Sequence, residues 1–156
     1  MTGPDPTGAR PGAAPVRGKA MGVDLGERRI GVSVSDSGGA LAFPLCVVER
    51  GDDPAADRGR LATIALEQRV GAIVVGLPLS LDGGRGPAAV AALAEAAELA
   101  AAVAPVAVVT FDERLTTVSA AAGQRAAGLR TRHARRSVDS AAAVVLLQAW
   151  LDAGRP

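Results

Sequence analysis

A chain of 156 residues, 49% hydrophobic and 21% charged, amounts to one domain with enough apolar side chain for a core. Aromatics make up only 2% (Phe43, Phe111 and Trp150), too few for a protein that stacks bases on aromatic platforms. The net charge of +1 neither demands nor excludes a polyanionic partner, and the lone Cys46 excludes an intramolecular disulfide and a cysteine-based zinc site. In chain order, residues 1–18 are Pro, Gly and Ala without periodicity, and they read as a disordered extension ahead of a domain spanning 19–154. "AMGVDLG" and "IGVSVSDS" read as strands joined by "GERR", and "LAFPLCVVER" adds a third, giving an antiparallel meander. "PAADRGRLATIALEQRV" has helical spacing, with Leu61, Ile64 and Ala65 on one face. "GAIVVGLP" is a continuous apolar run, as a strand covered on both faces requires. "GPAAVAALAEAAELAAAV" is a strong helix former with Pro87 at its start, and "PVAVVTFDE" is a further buried strand. "TTVSAAAGQRAAG" reads as a helix capped by Thr116 or Thr117, and "SVDSAAAVVLLQAWLDAG" as a last helix capped by Ser137 and stopped at Gly154. The order βββαβαβαα implies an α/β domain: a mixed sheet with helices on its faces.

Most of the sixteen acids need no special account: Glu95 and Glu98 fall on an exposed helix face, and Asp52, Asp53 and Asp57 in a polar loop. Three positions differ. Asp24 interrupts an apolar strand between Val23 and Leu25. Asp112 and Glu113 end the strand "VAVVTFDE"; adjacent residues point to opposite faces, so only one of them faces any shared site. Asp139, with Ser137 as cap, falls in the first helical turn on the stripe of Ala142, Ala143, Leu146 and Trp150, the side that packs on the sheet. Strand ends and a helix start converge in such folds, which would bring Asp24, Glu113 and Asp139 into one pocket. Three carboxylates that close need a cation, and an all-oxygen donor set favours Mg²⁺ or Mn²⁺. Two such ions clamp the attacking and leaving oxygens in phosphodiester hydrolysis.

Positive charge is almost all arginine, and Arg125, Arg130, Arg132, Arg135 and Arg136, with His133, lie in an acid-free segment. That segment reads either as a solvated face or as a phosphate-facing patch. "LPLSLDGGRGP" is a Gly-rich turn before a helix whose backbone N–H groups and Arg85 could meet phosphate.

Together, "GVDLGERRIGVSVSD", "IVVGLPLSLDG", "FDERLTT" and "VDSAAAVVLLQAWLD" resemble, in order and spacing, the YqgF-type family of pre-16S rRNA nucleases, homologues of Holliday junction resolvases. The resemblance spans about Met21 to Leu151. It implies a ribonuclease H fold: a mixed five-stranded sheet, three-strand antiparallel meander plus two parallel strands, flanked by helices. It also implies a cytoplasmic hydrolase using Mg²⁺ or Mn²⁺, with pre-16S rRNA or branched DNA as partner, no membrane, and a monomer or homodimer. Cleavage would leave a 5′-phosphate and a 3′-hydroxyl. Asp24, Glu113 and Asp139 match the catalytic, metal-binding acids, with Asp112 in second rank. Arg28, Arg29, Ser80, Arg85, Arg114, Arg132, Arg135 and Arg136 would hold nucleic acid. Arg28, Ser80 and the Arg135–Arg136 pair depart from the family's usual Lys, Asn and lysines, which alters phosphate hydrogen-bond geometry. The central strand "VVGLP" offers no acid where related resolvases have one, so the "DER" acid must serve from the next strand.

Two other classes compete. A "DLG" after a strand also suits an ATP-binding fold of the actin type, but that machinery needs two such domains around a cleft. A non-catalytic module that binds rRNA or an assembly partner would carry the same acids.

Overall fold

Alternation along the first strand explains the architecture. The structure, a computed structural model, describes residues 18–118 and 140–156. In β1 (Ala20–Leu25), Met21 and Val23 join one hydrophobic cluster, whereas Ala20 joins another across the sheet. Asp24, four residues after Ala20, shares that second face by the period of two. β2 (Arg29–Ser35) and β3 (Ala42–Glu49) continue the meander, each antiparallel to its predecessor. β4 (Ala72–Leu77) and β5 (Ala107–Asp112) add in parallel, giving the order β3-β2-β1-β4-β5. This is the mixed five-stranded sheet expected from the sequence.

Two helices cover one face. α1 (Pro54–Gln68) starts at Asp53, whose side chain accepts from the Ala55 N–H at 3.0 Å, with Pro54 in the first turn. α2 (Pro87–Val103) lies beside it, and Leu61, Ala65, Ala96, Leu99 and Val103 close over Met21, Val23, Ile73 and Val75. Arg50 and Arg58 reach α2 at Glu95 (3.1 Å) and Glu98 (2.6 Å), so the acids expected on a bare helix face are paired. Asp57 departs further from expectation. It lies in the first turn of α1 rather than in a loop, and it is buried. Its carboxylate accepts from the Gly51 N–H at 3.1 Å and from the Arg60 guanidinium.

The last helix, α3 (Ala141–Asp152), covers the other face. It follows Ser140, whose side chain makes no capping hydrogen bond to the helix; the expected cap, Ser137, lies outside the described residues. Leu147 is wholly buried, and burial of such a side chain is worth about 1.5–3 kcal/mol. The approach of α3 depends on Gly22: a Cβ there would lie 2.9 Å from the Ala143 carbonyl and 2.9 Å from the Leu147 Cβ. The buried Ser33 hydroxyl, from β2, donates to that same Ala143 carbonyl at 2.7 Å. At the far end Gln148 accepts from the Ala42 N–H and donates to the Ala40 carbonyl, both at 3.0 Å. No helix among the described residues is long and apolar enough to cross a membrane. The extension at 1–17 and the expected helix from Thr116 onward fall largely outside the described residues; Glu113–Val118 is a 3₁₀ turn.

Candidate active site

The sheet's α3 face ends in three aligned positions on the three neighbouring strands. On β1 it is Asp24, in step with Ala20 and Gly22. On β4 it is Gly76, in step with Ala72 and Val74, which belong to the α3-side cluster. On β5 Phe111 belongs to that cluster, and Glu113 follows two residues later. The register pairs Val23 with Val75 and Gly76 with Phe111, so Gly76 stands between the two acids. Its missing side chain leaves room that Glu113 fills: the outer half of Glu113 lies against the Gly76 Cα.

Asp24 and Glu113 line one cavity of about 310 Å³, together with Thr116, Ala142, Val145 and Leu146. The floor is therefore the ends of β1 and β5, and the wall is the first half of α3. Thr116 is fixed by donating to the Glu113 backbone carbonyl at 2.6 Å. No described residue gives either carboxylate a hydrogen bond or an ion pair. Burial raises the Asp24 pKa above the usual carboxylate range. Burial also raises that of Glu113, and the negative charges of Asp24 and Asp112 push it further. Two desolvated oxygen donors that repel each other, with no described cation nearby, fit a hard divalent ion. Among the described residues no three His, Cys, Asp or Glu side chains group as metal ligands. The third expected acid, Asp139, lies outside the described residues.

Asp112 points the other way, as alternation requires. Arg114 Nε lies 3.0 Å from both its oxygens and Nη2 lies 2.6 Å from Oδ2, a pairing that holds the Asp112 carboxyl below its ordinary range. The acid of "DER" that enters the pocket is thus Glu113. Arg114 also reaches the Leu81 carbonyl at 3.4 Å, linking the strand end to the β4–α2 loop. That loop is a closed turn. The Gly83 N–H donates to the Ser80 carbonyl (2.8 Å), the Gly84 N–H to Asp82 Oδ1 (2.8 Å), and the Ser80 hydroxyl to the Asp82 carboxylate. Gly83 adopts φ +85°, a left-handed value that suits glycine.

The remaining expected contacts divide. Arg28 and Arg85 are exposed and make no side-chain hydrogen bond or ion pair with described residues. Arg29 bonds Glu49 across the β2–β3 pair at 3.3 Å. Ser80 and Arg114 are engaged as above, and Arg132, Arg135 and Arg136 lie outside the described residues. Gly26 makes the β1–β2 turn tight: its N–H donates to the Arg29 carbonyl at 3.0 Å, and a Cβ would collide with that oxygen. Sequence reasoning overlooked Gly76, although a glycine inside an otherwise apolar buried strand was a visible signal.

Known proteins resemble this chain along most of its length. A protein of Streptomyces avermitilis named "Putative pre-16S rRNA nuclease" is 48% identical over 139 residues, covering 89% of this chain and 88% of the relative. One of Mycobacterium ulcerans with the same name is 47% identical, covering 97% and 87%. Among solved structures, Thermus thermophilus RuvC in complex with a Holliday junction substrate superposes with a TM-score of 0.61 at 18% identity. It covers 88% of this chain and 97% of that one. A likeness at that identity shows the fold, which is ribonuclease H-like. The family model RuvX, Holliday junction resolvase, matches residues 18–153, and with relatives nearly half identical along most of their length, the chain belongs to the RuvX family.

Proposed function

We propose that this protein is a divalent-metal-dependent endonuclease that hydrolyses phosphodiesters at the 5′ end of pre-16S rRNA, in the cytoplasm. One observation carries the metal dependence: Asp24 and Glu113 share a desolvated cavity with no described cationic or hydrogen-bonding partner. The relatives' shared name and membership of the family support the nuclease chemistry and the RNA substrate.

Asp24 and Glu113 hold the cation, Mg²⁺ or Mn²⁺, from strands on either side of β4, and Asp139 adds a third carboxylate from the segment preceding α3. The bound ion supplies a Lewis acid for the negative charge that develops on the phosphoryl oxygens. Burial matters to the acids in its own right: it weakens their hydration, so they gain more from a cation than exposed carboxylates would. Asp112 stays outside the cavity, and its pairing with Arg114 fixes the backbone from which Glu113 projects. Arg28, on the β1–β2 turn, and Arg85, in the loop after β4, are free to contact the nucleic-acid backbone, so binding weakens as salt rises. The sequence offers Arg132, Arg135 and Arg136 as further cations for that backbone. The apolar side chains Ala142, Val145 and Leu146 along the wall limit hydration of the two carboxylates, which strengthens their attraction for a cation.

The family description favours a second substrate, four-way DNA junctions. The deciding experiment is cleavage of labelled pre-16S RNA and of a labelled four-way junction, with Mg²⁺ or Mn²⁺, by the wild type and by Asp24→Asn. Metal-dependent cleavage of the RNA that is lost in Asp24→Asn is the expected result. Cleavage of the junction alone moves the substrate to DNA, equal cleavage by the variant ends the carboxylate mechanism, and cleavage of neither leaves a binding module.

A further inference from the structure

We propose that Gly76 is a positioning residue: the absent side chain at the end of the central strand keeps open the space through which Glu113 crosses β4 to face Asp24. This rests on the reading of Asp24 and Glu113 as a cation-holding pair. The geometry is specific. A Cβ on Gly76 would lie 2.5 Å from Glu113 Oε1, 3.2 Å from Cγ and 3.3 Å from Cδ. Those three atoms are its nearest neighbours, so the Glu113 side chain is what a Cβ at position 76 meets first. No backbone requirement explains the glycine, because Gly76 is not among the residues with positive φ. It has a conformational cost, since glycine inside a strand orders more backbone for less packing. Every other residue of β4 is apolar with a side chain: Ala72, Ile73, Val74, Val75 and Leu77.

The inference also accounts for how an acid that follows β5 reaches Asp24 on β1 across the central strand. Glu113 follows the last β5 residue, and its two side-chain methylenes carry the carboxylate across to the central strand. With a methyl group at position 76 Oε1 must move, and Cγ and Cδ must give by a few tenths of an ångström, so the carboxylate is displaced from its place over β4.

The test titrates Mn²⁺ into the full chain and follows thermal unfolding in parallel, for Gly76→Ala, Glu113→Ala and the double variant. Glu113→Ala reports on the underlying reading: if it binds Mn²⁺ as the wild type does, the acid pair is not a cation site. With that reading intact, Gly76→Ala is expected to weaken Mn²⁺ at least about tenfold, the range for residues that orient a metal ligand. Wild-type affinity in Gly76→Ala alone overturns the positioning role and leaves the cation site standing. Unfolding separates positioning from simple packing damage, even if Gly76→Ala folds poorly. In the Glu113→Ala background the added methyl has space, so the double variant should unfold no earlier than Glu113→Ala. A further drop there means that the methyl collides with something other than Glu113, and overturns the proposal. A transposed variant, Gly76→Asp with Glu113→Ala, carries the carboxylate on β4 itself and is expected to recover part of the lost Mn²⁺ affinity; no recovery counts against the shared position.

Discussion

Asp57 and Asp24 are both carboxylates withdrawn from water, and their surroundings treat them in opposite ways. Asp57 sits in the first turn of α1, a place that suits negative charge, and it accepts from the Gly51 N–H and the Arg60 guanidinium. Its pKa is held below the ordinary range, led by the Gly51 bond and then by Arg60. Asp24 sits at a strand end against the first half of α3, receives nothing from described residues, and titrates above the ordinary range. The first acid fastens a loop to a helix. The second costs folding free energy wherever it is ionised, and under the proposed function a bound cation would offset that cost.

The largest effect that sharpens this contrast is on activity. Asp24→Asn should lower metal-dependent cleavage by about a hundredfold or more, since even residues that merely orient a ligand are worth 10–100-fold in affinity or rate. The same substitution should leave the metal-free protein unfolding at the same temperature or higher, because it removes an unpaired buried charge. A lower unfolding temperature would break the contrast.

Asp57→Ala should behave in the reverse sense. It leaves Gly51 and Arg60 without their acceptor and so lowers the unfolding temperature, more than Asp52→Ala in the adjoining exposed loop does. Turnover per folded molecule stays at the wild-type level. Loss of turnover with intact stability would make Asp57 something other than a fastening.

The smallest effect is the pH dependence of metal-free stability, where the two acids pull on opposite sides of the ordinary carboxylate pKa values of about 4. Asp24 and Glu113 have raised folded values, so the folded state takes up protons first, and stability climbs as pH falls through those values toward 4. Asp57 and Asp112 have lowered folded values, so their contribution is complete above the ordinary range and is lost as pH falls below 4 through their folded values. Unfolding temperature against pH should therefore show a shallow maximum on the acid side of neutrality. Asp24→Asn flattens its alkaline arm and leaves the acid arm in place.

Much of this was legible in the sequence because it depended on local pattern. The alternation of "AMGVDL" and the continuous run "AIVVGL" specified strands whose pairing follows from short hairpins and helical crossovers. Asp24 was visible as an acid that breaks such a pattern. The choice between Asp112 and Glu113 was not, because it needed the knowledge that Phe111 faces α3, a fact set by tertiary packing. Asp57 escaped for a different reason: its partners are local, Arg60 one helical turn on and Gly51 six positions before, but an acid in a polar stretch does not itself announce its burial. Arg114 reads in the sequence as a cation for phosphate, whereas in the structure its guanidinium lies on Asp112.

The bond from the Ser33 hydroxyl to the Ala143 carbonyl joins residues 110 positions apart. Neighbouring strands of the meander can pair early because their loops are short, but the docking of α3 must close the longest loop in the domain. The cavity that holds Asp24 and Glu113 has α3 as its wall, so it is assembled in that same docking step. A chain with its sheet formed and its last helix adrift lacks the wall that withdraws the two carboxylates from water. The site and the finished fold arrive together, which ties hydrolytic competence to completion of folding.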